Sequence, residues 1–333
     1  MIETLACPNC GKPLPKTTQE EQLVKCAACQ ATILVSGWQT SIIGDEVVVQ
    51  TPTRIYILRD LITKDDLCNV YRCTFRQAGQ ARQGLFRLAR HVADNDLVTN
   101  EAQTLYFFQQ CADYDDFQPL VPRILESFAY QDATIPQARQ VNIVSMDEQI
   151  TAPDEFYTLE EVKRTYGAGI HPKDMAWMWR RLLNVLGFAH DNGVIHGAVL
   201  PPYIWIEPKG HRVMLMGWGF SVRVPNGEPE KMKALSVPYE EWYPPSVKQP
   251  AKAALDIGLA VRTMLYLMAI DPLAKRENEL DLPSLPQALK SYFWRCLSTE
   301  KTAWLLLQEF DQIIESCWGP REFRVFTMPD RTG

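Results

Sequence analysis

The chain has 333 residues, 46% hydrophobic and 22% charged, the proportions of an ordinary globular protein. Its net charge of −6 and pI near 5.5 argue against a nucleic-acid partner, which usually meets a basic face. No membrane span is expected either, because the longest apolar stretch, residues 257–270, is short and is broken by Arg262. Residues 1–7 lack the basic and apolar regions of a secretory signal, so the nine cysteines read as metal ligands and buried thiols in a cytoplasmic protein.

Residues 1–35 carry two CxxC knuckles, Cys7-Pro8-Asn9-Cys10 and Cys26-Ala27-Ala28-Cys29. Two residues between cysteines bring both sulfurs to one side of a tight loop, and two such loops complete the tetrahedron that Zn²⁺ prefers. Gly11 suits the left-handed turn that closes a knuckle. A redox site needs only one CxxC on an α/β scaffold, and a pair of disulfides suits an oxidising compartment, so a zinc ribbon is the expected reading. With Cys7, Cys10, Cys26 and Cys29 all ligating one Zn²⁺, no position is open for a reacting water, and the ion's role is structural. Lys12, Lys16 and Lys25 balance Glu3, Glu20 and Glu21, which favours protein docking over DNA binding for this module.

Residues 36–53 read as a connector with one short strand at 46–50. Residues 54–149 are strand-rich, with β-branched or aromatic runs at 55–61, 69–75, 84–89, 124–130 and 141–146. One helix interrupts them, opening at Asn100-Glu101 with Ala102, Leu105, Tyr106 and Phe108 at helical spacing. Residues 150–320 are mainly helical. The clearest helix, 172–192, places Met175, Met178, Leu182, Val185, Leu186 and Ala189 on one stripe, with Pro172 at its start and Gly193 past its end. Strands at 203–206 and 213–216 and helices at 251–270 and 285–298 follow, then a tail at 321–333 that docks on the body or on a partner. The fold class is α+β: a zinc ribbon, a strand-rich lobe and a helical lobe with a cleft between the lobes.

From about residue 54 to 316 the order of motifs resembles the protein kinase family. The segment His196-Gly197-Ala198-Val199-Leu200-Pro201-Pro202-Tyr203 resembles the kinase catalytic loop HRDxxxxN. His196 keeps the histidine, which on its own reads as a packed core residue, whereas Ala198 stands for the aspartate base and Tyr203 for the metal-binding asparagine. Gly217-Trp218-Gly219 resembles the DFG motif without its metal-binding carboxylate. The glycine-rich loop corresponds to Thr63, Asp65, Cys68 and Val70, with no glycine and with Asp65 and Asp66 set to repel a polyanion. Arg87 takes the place of the strand lysine, and Glu101 that of its helix partner. The two either tie strand to helix or form a surface pair of little worth. Pro244-Pro245-Ser246 stands for Ala-Pro-Glu, and Asp256 resembles the aspartate that anchors the catalytic loop from a core helix.

The resemblance therefore implies a kinase fold stripped of its chemistry: no enzyme, no nucleotide cofactor, and a role as a scaffold or regulator for a protein partner. Tyr239, Trp242 and Tyr243, beside prolines at 238, 244 and 245, either form an interaction surface or pack on the lower lobe, and Trp218 and Tyr203 are candidate plugs of the cleft. The alternative is residual ATP binding or an unconventional nucleotide-dependent transferase. The sequence leaves the partner and the oligomeric state open.

Overall fold

The computed structural model describes residues 5–15, 21–36, 39–44, 46–131, 135, 137–145, 155–224 and 230–329. The expected lobe boundary at 149/150 and the last four residues of the tail lie outside these.

The N-terminal module is a three-stranded antiparallel sheet, β1 (Glu21–Lys25), β2 (Thr32–Ser36) and β3 (Gln39–Ile43), in that order. The expected connector is not one. Its first half supplies β3, paired along the whole of β2, and its second half supplies β4 (Val48–Gln50), which joins the next sheet. Leu34 and Ile43 of the ribbon share an apolar cluster with Ile55 and Ile57, so the two sheets are packed together.

That next sheet has six antiparallel strands in the order β4-β5-β6-β7-β9-β8. It is built from β5 (Ile55–Lys64), β6 (Cys68–Gln77) and β7 (Gln80–Ala89), with helix α1 (Asn95–Phe108), the short α2 (Tyr114–Phe117), and then β8 (Arg123–Tyr130) and β9 (Arg139–Ser145). Gly84 to Ala89 are all buried, because β7 is central and covered on both faces. Helix α1 begins five residues before the expected Asn100, since Leu97 and Val98 already belong to its buried face.

The helical lobe follows as β10 (Tyr157–Thr158), α3 (Leu159–Thr165), α4 (Pro172–Asp191), β11 (Val194–Ile195), β12 (Ile204–Glu207), β13 (Arg212–Leu215), β14 (Val222–Arg223), α5 (Ala253–Leu267), α6 (Gln287–Cys296) and α7 (Ala303–Trp318). The His171 side chain caps α4 by accepting from the Lys173 N–H, and the Met175–Ala189 stripe is buried as expected. Helix α7 puts Leu306, Phe310 and Ile314 into the same core. No helix among the described residues is long and apolar enough to cross a membrane.

The tail docks on the body. Phe326 is buried against Tyr166 and Trp177, and the Tyr157 hydroxyl donates to the Pro329 carbonyl at 3.0 Å. Trp242 and Tyr243 are not an exposed surface: both are buried, Trp242 against Tyr239 and Tyr266, and the Tyr243 hydroxyl donates to the Gly197 carbonyl at 3.0 Å. Burying their rings on the lobe outweighs exposing them, as the area involved predicts.

Candidate functional site

The cleft begins at the hairpin between β5 and β6. Asp65 accepts from the N–H of Leu67 at 2.9 Å and of Cys68 at 2.6 Å, so an aspartate side chain, rather than glycine, closes the turn. This turns Asp65 inward, and its other carboxylate oxygen lies 3.2 Å from Nη1 of Arg87. The sequence expectation that Asp65 repels an approaching polyanion is therefore corrected: its charge is spent on Arg87.

The register of β7 sets Arg87 opposite Val70 and Asn142, pointing at α1. There Nε donates to Glu101 at 3.0 Å, and the Asn142 amide donates to the same Glu101 oxygen at 3.0 Å. Arg87, Glu101 and Asp65 are all buried, which removes the reading of a surface pair. Burial disfavours the charged guanidinium, but Glu101 and Asp65 more than offset it and hold Arg87 above its ordinary value. Burial pushes the Asp65 carboxyl up, with Arg87 and the Cys68 N–H drawing it back. Burial likewise carries the neighbouring Asp66 up to about 6.

Below the hairpin, Leu67 presses on the segment after β13: a Cβ on Gly219 would meet Leu67 Cδ1 at 2.9 Å and the Leu97 carbonyl at 2.9 Å. Asn100 of α1 donates to the carbonyls of Gly219 and Ser221 at 3.0 and 2.9 Å, fastening that segment to the helix. Trp218 is fully buried, edge-on to Phe108 and His196, and its indole donates to Leu215. Tyr203 is fully buried and fills the space beside Gly217, where a Cβ would lie 2.3 Å from its ring. Gly217 has φ +77°, so the position asks for glycine on backbone grounds as well.

His196 is a core residue. Burial holds it below its ordinary value, so the ring is neutral, donating from Nε2 to Met216 and accepting at Nδ1 from the Ala198 N–H. Asp256 is buried in α5 and accepts from the N–H of His196 and of Gly197 at 2.8 Å each, and His190 Nε2 sits 2.9 Å from it. A buried carboxylate is sustained only by such partners. Ala198 is buried and offers only a methyl group.

At the other end of the chain, the Sγ atoms of Cys7, Cys10, Cys26 and Cys29 lie within 4.8 Å of one another. Cys7–Cys29 and Cys10–Cys26 are 3.7 and 3.6 Å apart. A tetrahedral ion with sulfur at about 2.3 Å sets its sulfurs about 3.8 Å apart, so the quartet fits one zinc ion. Each knuckle closes in the same way, by Gly11 N–H to Cys7 and Gln30 N–H to Cys26, with both closing residues at positive φ.

The sequence therefore named most members of both sites. It missed the inward role of Asp65, for which the Asp-Asp-Leu-Cys turn was the available signal, and it missed Asn142.

A strand-rich lobe, a helical lobe, a loop held by a core aspartate and a strand cation paired to a helix glutamate define a protein-kinase-like fold. No protein-family model matches the chain, and no curated protein does. Among solved structures it is similar to the kinase domain of BubR1, with a TM-score of 0.57 and 11% identity over 81% of this chain and 83% of that one.

A carboxylate introduced at position 217 would not fit. Gly217→Asp is expected to cost about 2–5 kcal/mol from the left-handed backbone and the clash with Tyr203, measured by denaturant unfolding, without conferring binding of Mg·ATP.

Proposed function

We propose that this chain is a pseudokinase: it transfers no phosphate and acts through protein contacts, as a scaffold or regulator, with one structural Zn²⁺ held by Cys7, Cys10, Cys26 and Cys29. The observation that carries this reading is the buried Asp65–Arg87–Glu101 triad. The cation that would meet phosphates is already neutralised by the loop that would cover them. Phosphoryl transfer also needs a positioned base and metal carboxylates, and the corresponding places hold Ala198, Tyr203 and Gly217.

Melting the full chain with and without millimolar Mg·ATP tests this. A competent site filled to a hundred times its Kd would stabilise the fold by about 2.7 kcal/mol, so a plain rise would be seen. The expected result is an unchanged midpoint together with no transfer from ATP above background. A saturable rise that is lost in Arg87→Met would overturn the reading and favour the nucleotide-dependent transferase.

A further inference from the structure

Outside the cleft, a cavity of about 490 Å³ lies between α4, α7 and the returning tail. Its apolar lining includes Trp177, Ile314 and Trp318. One wall is preformed: His211 stacks on Trp177 at 4.4 Å and on Phe323 at 4.3 Å, while its Nε2 is bonded to the Arg324 carbonyl at 2.7 Å. The Trp177 indole N–H is buried and has no acceptor among the described residues.

The same cavity gathers five cations, Lys173, Arg180, Arg181, Arg321 and Arg324. Their counter-charge is short. Asp311 serves both Arg180, at 2.7 Å, and Arg321, at 2.5 Å, and Asp174 takes Arg324 at 2.8 Å. Those two aspartates lie outside the lining, whose own carboxylate is Glu322. Arg181 is exposed and has no ion-pair partner among the described residues, and Lys173 rests over the Trp318 ring. Burial, then Arg321 and Arg181, press Arg180 below its ordinary value against the pull of Asp311, as expected where cations crowd with too little negative charge. Five cations against three carboxylates, two of them outside the lining, make this a positive site on a chain of net charge −6.

The volume is that of a small-molecule site, larger than a lone phosphate needs, and the lining pairs apolar rings with guanidinium forks suited to carboxylate and phosphate oxygens. We propose that this cavity binds a small organic anion, an apolar or aromatic body bearing a phosphate monoester or a pair of carboxylates. The site shares no residue with the cleft, so it stands whether or not the cleft is inert.

Calorimetric titration of the full chain with phenyl phosphate and phthalate, alongside inorganic phosphate and benzyl alcohol, tests it. Saturable binding is expected for at least one of the aryl dianions, stronger than for either the bare anion or the neutral ring. Arg181→Glu, at an exposed position, should weaken that binding about tenfold or more, the loss of one charge-assisted contact, and Lys173→Glu should weaken it as well. Both variants should melt like the parent chain. No saturable signal from either aryl dianion, equal binding of inorganic phosphate or benzyl alcohol, or full affinity in both folded variants would overturn the proposal.

Discussion

Cys26→Ser should leave the cysteine knuckles and β1 to β3 unable to hold their fold, and chelation of the parent chain should do the same. The ribbon core outside the sulfurs is little more than Leu14, Val24, Ile33 and Val35, far below what a module of this size needs to stand alone. On the proposed reading a Zn²⁺ supplies the difference, structural Zn²⁺ contributing on the order of 10–16 kcal/mol at neutral pH. The parent chain is expected to carry one zinc per chain by elemental analysis, and the variant none, with protease cutting within β1 to β3. Because Leu34 and Ile43 pack on Ile55 and Ile57, the six-stranded sheet should also lose stability, seen as a lower melting temperature for the whole chain. A variant that kept its zinc and melted with the parent would remove the metal from the account.

Arg87→Met should be the most damaging single change in the strand-rich lobe. It keeps the apolar stem and deletes the charge, leaving Asp65 and Glu101 buried without a cation between them. Removing one partner of a buried pair costs about 3–5 kcal/mol, much more than the pair's net worth, because the remaining charges have no water to turn to. Denaturant unfolding should show that loss, and a triple variant, Arg87→Met with Asp65→Asn and Glu101→Gln, should recover a large part of it. If the single variant were as stable as the parent, the triad would not be the fastening described above.

Features set by local spacing were legible in the sequence. The CxxC knuckles needed only the distance between cysteines, and α4 needed only its stripe, its proline and its glycine. The pairing of Arg87 with Glu101 came from the resemblance to the kinase strand lysine and its helix glutamate, and the two lie 3.0 Å apart. What depended on the direction of a single side chain was not legible. Asp65 reads equally well as a charge facing solvent or as a turn former facing inward, and only the register of β5 on β6 decides. Tyr239, Trp242 and Tyr243 show the same limit, since aromatics beside prolines suit both an interface and a core. Strand β3 was lost to its weak Gln-Thr-Ser start, and α7 to a run of three leucines that blurs helical periodicity.

The contact between Tyr203 and Gly217 carries a consequence for substitution at either position. The two positions face each other, and each is shaped to its neighbour: the ring occupies the room that any side chain at 217 would need. An aspartate cannot be accommodated at 217 while the tyrosine stays, and losing the tyrosine alone would open a hole in a closely packed interior. Changing both positions runs through two steps, of which the first is harmful in either order. The two positions are therefore coupled, and a side chain at 217 should be tolerated only together with a smaller residue at 203.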